Sequence, residues 1–476
     1  MNSTSFILLS PLLILAGAII VLLLVIAFYR RHTLAAGLAL VGLIAAGISL
    51  LAAWPDSPGQ VTSLLIVDHL GLMSAALLLF ATAVVVLLSY PYLKKQTVQP
   101  EEYYLLLLLA VFGGIIIVFS SHFAALFLGL EILSISLYGL AGYLRRRAFS
   151  IEAAVKYLIL AAASAAFLMF GVALIYADRG TLALDQLQLA LPAAQNSPEI
   201  LLLVGLGMLL VGIGFKLAVV PFHMWTPDVY QGAPAPTSAF IATVSKGAVF
   251  VFFFRLSHGL TSLSGTLVLI AALSMLAGNL LALLQNNVKR LLAYSSIAHL
   301  GYLLVALIAS STLAIVAALF YLTAYFVTVL GAFGVVSILS DGEHDAENLE
   351  DYHGLFWRRP WLAGVMTLAM LSLIGMPLTA GFFGKFYLLS AGVGSSLWIL
   401  VGVLVISSAI GLYYYLRVII TMFASLDSEP SPSTTALPSS FPGLLALGIL
   451  ALLLLWLGLY PTAFINLIQS AAQFLG

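Results

Sequence analysis

Apolar runs of the length that crosses a bilayer follow one another along almost the whole chain, separated by short polar breaks. A spanning helix needs about 20 predominantly apolar residues. On that measure spans are predicted at 5–28, 34–53, 69–90, 103–120, 122–143, 152–177, 199–220, 235–257, 264–284, 288–309, 312–340, 361–390, 396–424 and 441–470, about fourteen in all. Connections as short as 120–122 and 309–312 predict tightly packed antiparallel helices. The first run does not read as a cleaved signal peptide: it lacks a basic segment before it, is too long, and has Arg30 and Arg31 after it. The expectation is an all-α polytopic membrane protein forming one transmembrane domain over 1–476.

Composition agrees. Of 476 residues, 63% are hydrophobic and 8% charged, against about 25% charged in soluble domains, which excludes a soluble enzyme. The 18 basic and 18 acidic residues cancel, leaving no basic footprint for nucleic acid. With no cysteine there is no disulfide, Fe–S ligation, thiolate nucleophile or Cys zinc site. The 8 histidines have no metal-ligand spacing, so no metal is predicted; His344 and His353 read as solvated loop residues.

Lys and Arg distribution gives an orientation. With the N-terminus outside, Arg30, Arg31, Lys94, Lys95, Arg145, Arg146, Arg147, Lys289, Arg290, Arg358, Arg359 and Arg417 lie on the cytoplasmic side, and only Arg179 and Arg255 on the other. Both termini are then periplasmic. The acidic stretch Asp341–Asp351 also falls inside.

Four basic residues remain, all within apolar spans: Lys156, Lys216, Lys246 and Lys385, together with Glu131 and His299. An ionised group at the bilayer centre costs at least ~2.5–3.5 kcal/mol, so these groups must face one another, or water, inside the bundle. A lysine's proton affinity falls on desolvation and rises beside a carboxylate, so a lysine near a movable glutamate can alternately hold and release a proton. Glu131, Lys216 and Lys246 have no local partner or route to the interface. Lys156 has a plainer reading as an i,i+4 pair with Glu152, and His299 as a neutral hydrogen-bonding group in helix packing.

Two spans look broken. Pro221 follows Lys216 by five residues in an apolar helix, and Gly375-Met376-Pro377 interrupts the twelfth span ahead of Lys385. Interrupted helices at membrane depth line polar cavities, and paired interruptions point to inverted repeats. The broken spans lie five helices apart, an odd offset that reverses direction. Spans 4–8 and 9–13 are thus predicted to be two inverted five-helix repeats, each with a discontinuous helix. The regions are 1–100 (three N-terminal helices), 101–260 (first repeat), 261–426 (second repeat) and 427–476 (C-terminal loop and last helix). Both lysines follow a glycine by four residues, Gly212 and Gly381, and the pairing sets Glu131 on the fifth span against His299 on the tenth. A chain of titratable groups across the bundle is a proton path. Moving one proton against 100 mV takes about 2.3 kcal/mol; with no phosphate-binding loop, the drive must come from an ion gradient or a partner.

The runs FKLAVVPFHMWTPDVYQGAPAP (Phe215 to Pro236), NVKRLLAYSSIAHLGY (Asn287 to Tyr302) and GMPLTAGFFGKF (Gly375 to Phe386) resemble the signatures of the antiporter-like membrane-arm subunits of respiratory complex I, the proton-translocating NADH:quinone oxidoreductase. The resemblance covers essentially the whole chain. Within the family it points to the N-type branch: no room remains for the lateral helix of L-type subunits, and Lys385 stands where M-type subunits carry glutamate. It implies a Glu131–Lys216 charge switch, transfer through Lys246, exit at Lys385, and Lys156 and His299 as further members of the polar axis. It also implies no cofactor bound by this chain, with FMN, Fe–S clusters and quinone in partner subunits. The implied neighbours are the M-type subunit, the small K/J-type subunits and lipids, in a bacterial inner membrane, with the thylakoid version as the lesser alternative. Two other classes stand beside this reading: a subunit of a multisubunit Na⁺/H⁺ antiporter, and a structural spacer with a vestigial polar axis.

Overall fold

The computed structural model describes residues 3–96, 99–190, 200–257, 263–309, 311–425 and 441–472; the predicted loop over 427–440 lies outside them. Helices dominate: α1 (Ser3–Phe28), α2 (His32–Ala53), α3 (His69–Lys94), α4 (Glu101–Phe119), α5 (Phe123–Ala141), α6 (Ala148–Arg179), α7 (Leu184–Ala190), α8 (Ile200–Leu217), α9 (Trp225–Gly232), α10 (Ala235–Phe240), α11 (Lys246–Ser257), α12 (Ser264–Leu283), α13 (Val288–Ala309), α14 (Thr312–Leu339), α15 (Leu355–Arg358), α16 (Pro360–Ile374), α17 (Ala380–Gly394), α18 (Trp398–Phe423), α19 (Phe441–Leu459) and α20 (Thr462–Ala472). A π-helical turn, Ile241–Ser245, joins α10 to α11. A two-stranded ribbon, β1 (Gly59–Gln60) with β2 (Ile66–Val67), sits between α2 and α3.

Among the described residues, 13 helical segments are long and apolar enough to cross a membrane, Ala235–Leu256 counting as one. The predicted twelfth span is the one missing from that set. It is divided into α16 and α17, each 15 residues long. The predicted span 441–470 is also two helices. α19 ends at Leu459, and Pro461, with no N–H to donate and a fixed φ, starts the separate helix α20.

Helix ends are secured locally. The Asp68 carboxylate accepts the Gly71 N–H at 2.7 Å at the start of α3, and Ser311 caps α14 by accepting the Ala314 N–H at 3.2 Å. Isolated bridges tie Leu65 to Ser120 and His122 to Ala183 at one end of the bundle, and Asn287 to Asn348 at the other. The second of these ends carries Arg145 to Arg147, Lys289 and Arg290, and is called the basic end below.

Lipid is as apolar as leucine, so helices in it associate by close packing of small residues. A Cβ on Gly113 of α4 would lie 2.7 Å from the Gly129 carbonyl of α5. A Cβ on Gly278 of α12 would lie 2.7 Å from the Ala298 nitrogen of α13. Segment 235–256, α13 and α14 are almost wholly buried and form the middle of the bundle, while α1 and α6 are mostly exposed.

Candidate functional site

Both discontinuous helices stop before their prolines. α8 ends at Leu217, Ala218 takes φ +59°, and the chain turns through Pro221 before α9 begins at Trp225. The kink expected at Pro221 is therefore a full break, in which the Leu217 carbonyl has already left the helix. Trp225 fastens it: its indole N–H donates to the Phe215 carbonyl at 3.0 Å, and its ring stacks on Tyr157 at 4.8 Å. α16 ends at Gly375 (φ +85°), and Leu378 (φ +72°) turns the chain past Pro377 into α17. A side chain on Gly381 could not fit, since its Cβ would lie 1.8 Å from the Ser372 carbonyl oxygen.

The lysines fall on opposite sides of these breaks. Lys216 is in the last turn of α8, whereas Lys385 is in α17 beyond its break. Set proline on proline, Lys216 corresponds to Ser372 and Lys385 to Val229, so the shared glycine spacing does not mark equivalent positions.

Lys216, Lys246 and Lys385 are all buried, and their surroundings repeat. Lys216 Nζ donates to Ser134 Oγ of α5 at 2.6 Å and lies 5.9 Å from the Tyr157 ring centre. Lys246, the first residue after the π turn, donates to Ser296 Oγ of α13 at 2.6 Å and lies 5.2 Å from the Tyr230 ring centre. Lys385 donates to Ser408 Oγ of α18 at 2.7 Å, lies 5.3 Å from the Tyr302 ring centre, and also donates to the Leu373 and Ile374 carbonyls at 2.9 and 2.8 Å. Those carbonyls close α16, where the negative end of the helix dipole suits a cation.

Glu131, partly buried on α5, makes no ion pair with Lys216 within 4.0 Å among the described residues. Ser134, one turn farther along the same helix, takes the lysine's hydrogen bond. His299 is buried on α13: its Nδ1 pairs with the Tyr321 hydroxyl at 2.7 Å and its Nε2 with the Tyr415 hydroxyl at 3.3 Å. Tyr415 also pairs with Ser295 at 2.5 Å, and Tyr325 donates to Ser296 at 2.8 Å. A small cavity between His299 and Lys385, about 10 Å³ for water-sized contents, is bordered by Tyr321, Tyr325, Thr328 and Ser372. That is close to the space one water requires.

Lys156 stands apart from this line. It is partly exposed and pairs with Glu152 at 2.7 Å, as its spacing predicts, and with Asp228 of α9 at 2.8 Å. Asp228 in turn binds Arg290 at 2.8 Å.

The sequence reading missed the hydroxyls, because serine and tyrosine in apolar spans carry no charge to draw notice. It also missed Asp345, which it placed in a merely acidic stretch. The Asp345 side chain is 4% exposed, accepts from Lys289 (2.7 Å), Arg147 (2.9 Å) and Tyr92 (2.7 Å), and links three helices at the basic end. Burial alone would raise its carboxyl, but Lys289 and Arg147 outweigh that and hold it below the ordinary carboxylate range. At the other end Asp68 behaves likewise: burial raises it, and the two-pronged bond from Arg255 brings it below its usual value. No group of three or more His, Asp or Glu residues suited to a metal occurs among the described residues.

Residues 120–411 match the family described as NADH:quinone oxidoreductase/Mrp antiporter, TM. The chain is 47% identical, over 98% of its length and 99% of the relative's, to the NADH-quinone oxidoreductase subunit N of Chromohalobacter salexigens. It is 49% identical to the protein of that name from Nitrosospira multiformis, over 97% of this chain and 95% of the other. Among solved structures it resembles a chain of respiratory complex I from Thermus thermophilus, with a TM-score of 0.82, 35% identity, and 96% and 98% of the two chains covered. A chain of the Mrp complex from a Dietzia species shares the fold, with a TM-score of 0.86 at 19% identity over 99% and 97% of the two chains.

Proposed function

The chain belongs to the NADH:quinone oxidoreductase/Mrp antiporter transmembrane family, and from that premise we propose that its buried lysines carry protons between two half-channels. It is a multi-pass membrane subunit of the proton-translocating NADH:quinone oxidoreductase. The flavin, Fe–S clusters and quinone site belong to partner subunits in this reading, with M-type and K/J-type subunits as neighbours. The membrane is the bacterial inner membrane, with the basic end cytoplasmic and both termini periplasmic. The Mrp likeness concerns the fold alone and gives the antiporter alternative no separate support.

One observation carries the relay: Lys216, Lys246 and Lys385 each donate to a serine of a different helix and lie near a tyrosine ring. Hydroxyls both donate and accept, so they can pass a proton where a carboxylate would hold it in an ion pair. In the proposed sequence, quinone reduction in a partner perturbs the field at Glu131, and Lys216 responds through Ser134. Lys246 takes up the charge beside Ser296 and Tyr325. His299, held by Tyr321 and Tyr415, hands it across the small cavity to Lys385. Lys156 serves this path as an edge charge, through Asp228 on the α9 side of the first break.

The five-span sets α4–α11 and α12–α18 are read as inverted repeats. The matching glycine crossings of α4 with α5 and α12 with α13, and the breaks after α8 and α16, support that reading. The test is NADH-driven acidification of inverted membrane vesicles carrying Lys216→Ala, with the quinone reductase rate measured alongside. Both should fall while the complex still assembles; wild-type values for both would remove Lys216 from the path.

A further inference from the structure

The loop between α14 and α16 is built into the protein rather than spread on its surface. Lys95 donates to the Ile338 and Ser340 carbonyls at 3.1 and 2.7 Å, and Gln96 to the Asp341 carbonyl at 3.0 Å. Farther on, the Val288 N–H donates to the Glu347 carbonyl and the Leu349 N–H to that of Asn286. The loop thereby carries the Asp345 carboxylate inward to meet Tyr92 of α3, Arg147 at the start of α6, and Lys289 of α13.

Lys289 links this cluster to the proton path. Its side chain is 1% exposed, and besides Asp345 it donates to the Gln231 carbonyl at 2.8 Å and the Ala233 carbonyl at 2.7 Å. Those carbonyls lie in the last turn of α9 and in the turn that leads on to α10. Tyr230, the residue before Gln231, presents its ring to Lys246 at 5.2 Å. The same turn is held by Ser238, whose hydroxyl donates to the Tyr230 carbonyl at 2.8 Å, and by Arg290, which reaches Gln231 Oε1 at 3.1 Å. One buried carboxylate therefore stands two bonded steps from the surroundings of the central lysine. A buried cation that loses its counter-ion is strongly destabilised, and without Asp345 Lys289 would be in that position.

We propose that Asp345 is a positioning residue for proton transfer at Lys246: by pairing with Lys289 it keeps that lysine bonded to the Gln231 and Ala233 carbonyls, and so fixes the turn that sets Tyr230 against Lys246. The inference rests on the relay reading given above. It assigns the loop a role in coupling, since the loop joins the basic end of α3 and α6 to the second five-span set.

The test uses the whole complex in inverted membrane vesicles, with protons moved per NADH oxidised as the readout. NADH oxidation by ferricyanide, which does not need this chain, reports the amount of complex. Asp345→Asn should lower the proton yield severalfold at unchanged ferricyanide activity, and Asp345→Glu should recover most of it. A wild-type yield in Asp345→Asn overturns the proposal. So does a loss that Asp345→Glu leaves uncorrected. If Asp345→Asn does not assemble, Asp345→Asn with Lys289→Met removes one buried cation together with its counter-ion; this pair should assemble and still pump poorly, because the two carbonyl bonds are gone. Wild-type pumping by that pair also overturns the proposal. Lys246→Ala is the reference: its normal pumping would sink the relay reading itself, whereas its failure beside normal Asp345 variants would sink only this inference.

Discussion

Lys216 hands its hydrogen bond to Ser134, not to Glu131, although the two acceptors sit one turn apart on α5. The hydroxyl is therefore the group in contact with the lysine. Removing it in Ser134→Ala leaves a buried ammonium short of an acceptor, a cost of about 1–3 kcal/mol for an unsatisfied group. Coupled proton pumping in vesicles should fall by about tenfold or more, and an unchanged rate would mean that Lys216 turns to Glu131 instead.

The two tyrosines on His299 should not be equivalent. Tyr321 is bonded at 2.7 Å and Tyr415 at 3.3 Å, and hydrogen bonds weaken over that range. Tyr321→Phe is expected to slow NADH:quinone turnover more than Tyr415→Phe, by a difference of about 0.5–1 kcal/mol in barrier. Equal losses would argue that Tyr415 matters through Ser295 as much as through the histidine.

Gly381 and Gly364 offer a contrast within one broken span. A Cβ at 381 would collide with the Ser372 carbonyl, while nothing lies within 4 Å of one at 364. Gly381→Ala should destabilise the chain by about 1–3 kcal/mol or more and reduce the amount of assembled complex seen by native gel. Gly364→Ala, in a helix interior, should be neutral or stabilising by up to about 1 kcal/mol. Equal amounts of complex from the two variants would show that the second break can move to make room.

The Asp68–Arg255 pair gives a pH signature with a definite sign. Its carboxyl is depressed in the folded chain, so its stabilisation is present above the unfolded value near about pH 3.9 and disappears as pH falls through the lower folded value. Thermal unfolding of the purified complex should show Asp68→Asn less stable at pH 7 by about 3–5 kcal/mol, the cost of breaking a buried pair. That gap should narrow only below about pH 4. A gap that closed between pH 6 and 8 would point to a different titrating group.

Much of the fold was legible because bilayer thickness imposes a length that apolar runs either meet or miss. The breaks were legible from Gly375, Pro221 and Pro377, although α8 unwinds at Ala218, ahead of any residue that compels it. The polar axis was half legible. Charges in a bilayer are conspicuous, and Glu131, Lys216, Lys246, His299 and Lys385 stood out for that reason. Ser134, Ser296 and Tyr321 did not: a serine in an apolar helix can simply bond its own backbone, as Ser134 also does to the Leu130 carbonyl, and a tyrosine ring reads as core packing. Asp345 was hidden by its neighbours: among Asp341, Glu343, Glu347, Glu350 and Asp351 nothing local marks it as the carboxylate that meets Lys289, Arg147 and Tyr92.

Two of the acceptors that hold Lys385 are backbone carbonyls, those of Leu373 and Ile374. Exchange of the side chains at 373 and 374 leaves both oxygens where they are. This part of the cation's seat is therefore heritable independently of the alphabet that spells it: point changes can redecorate it, and only an alteration that lets the helix run on through Gly375 can erase it.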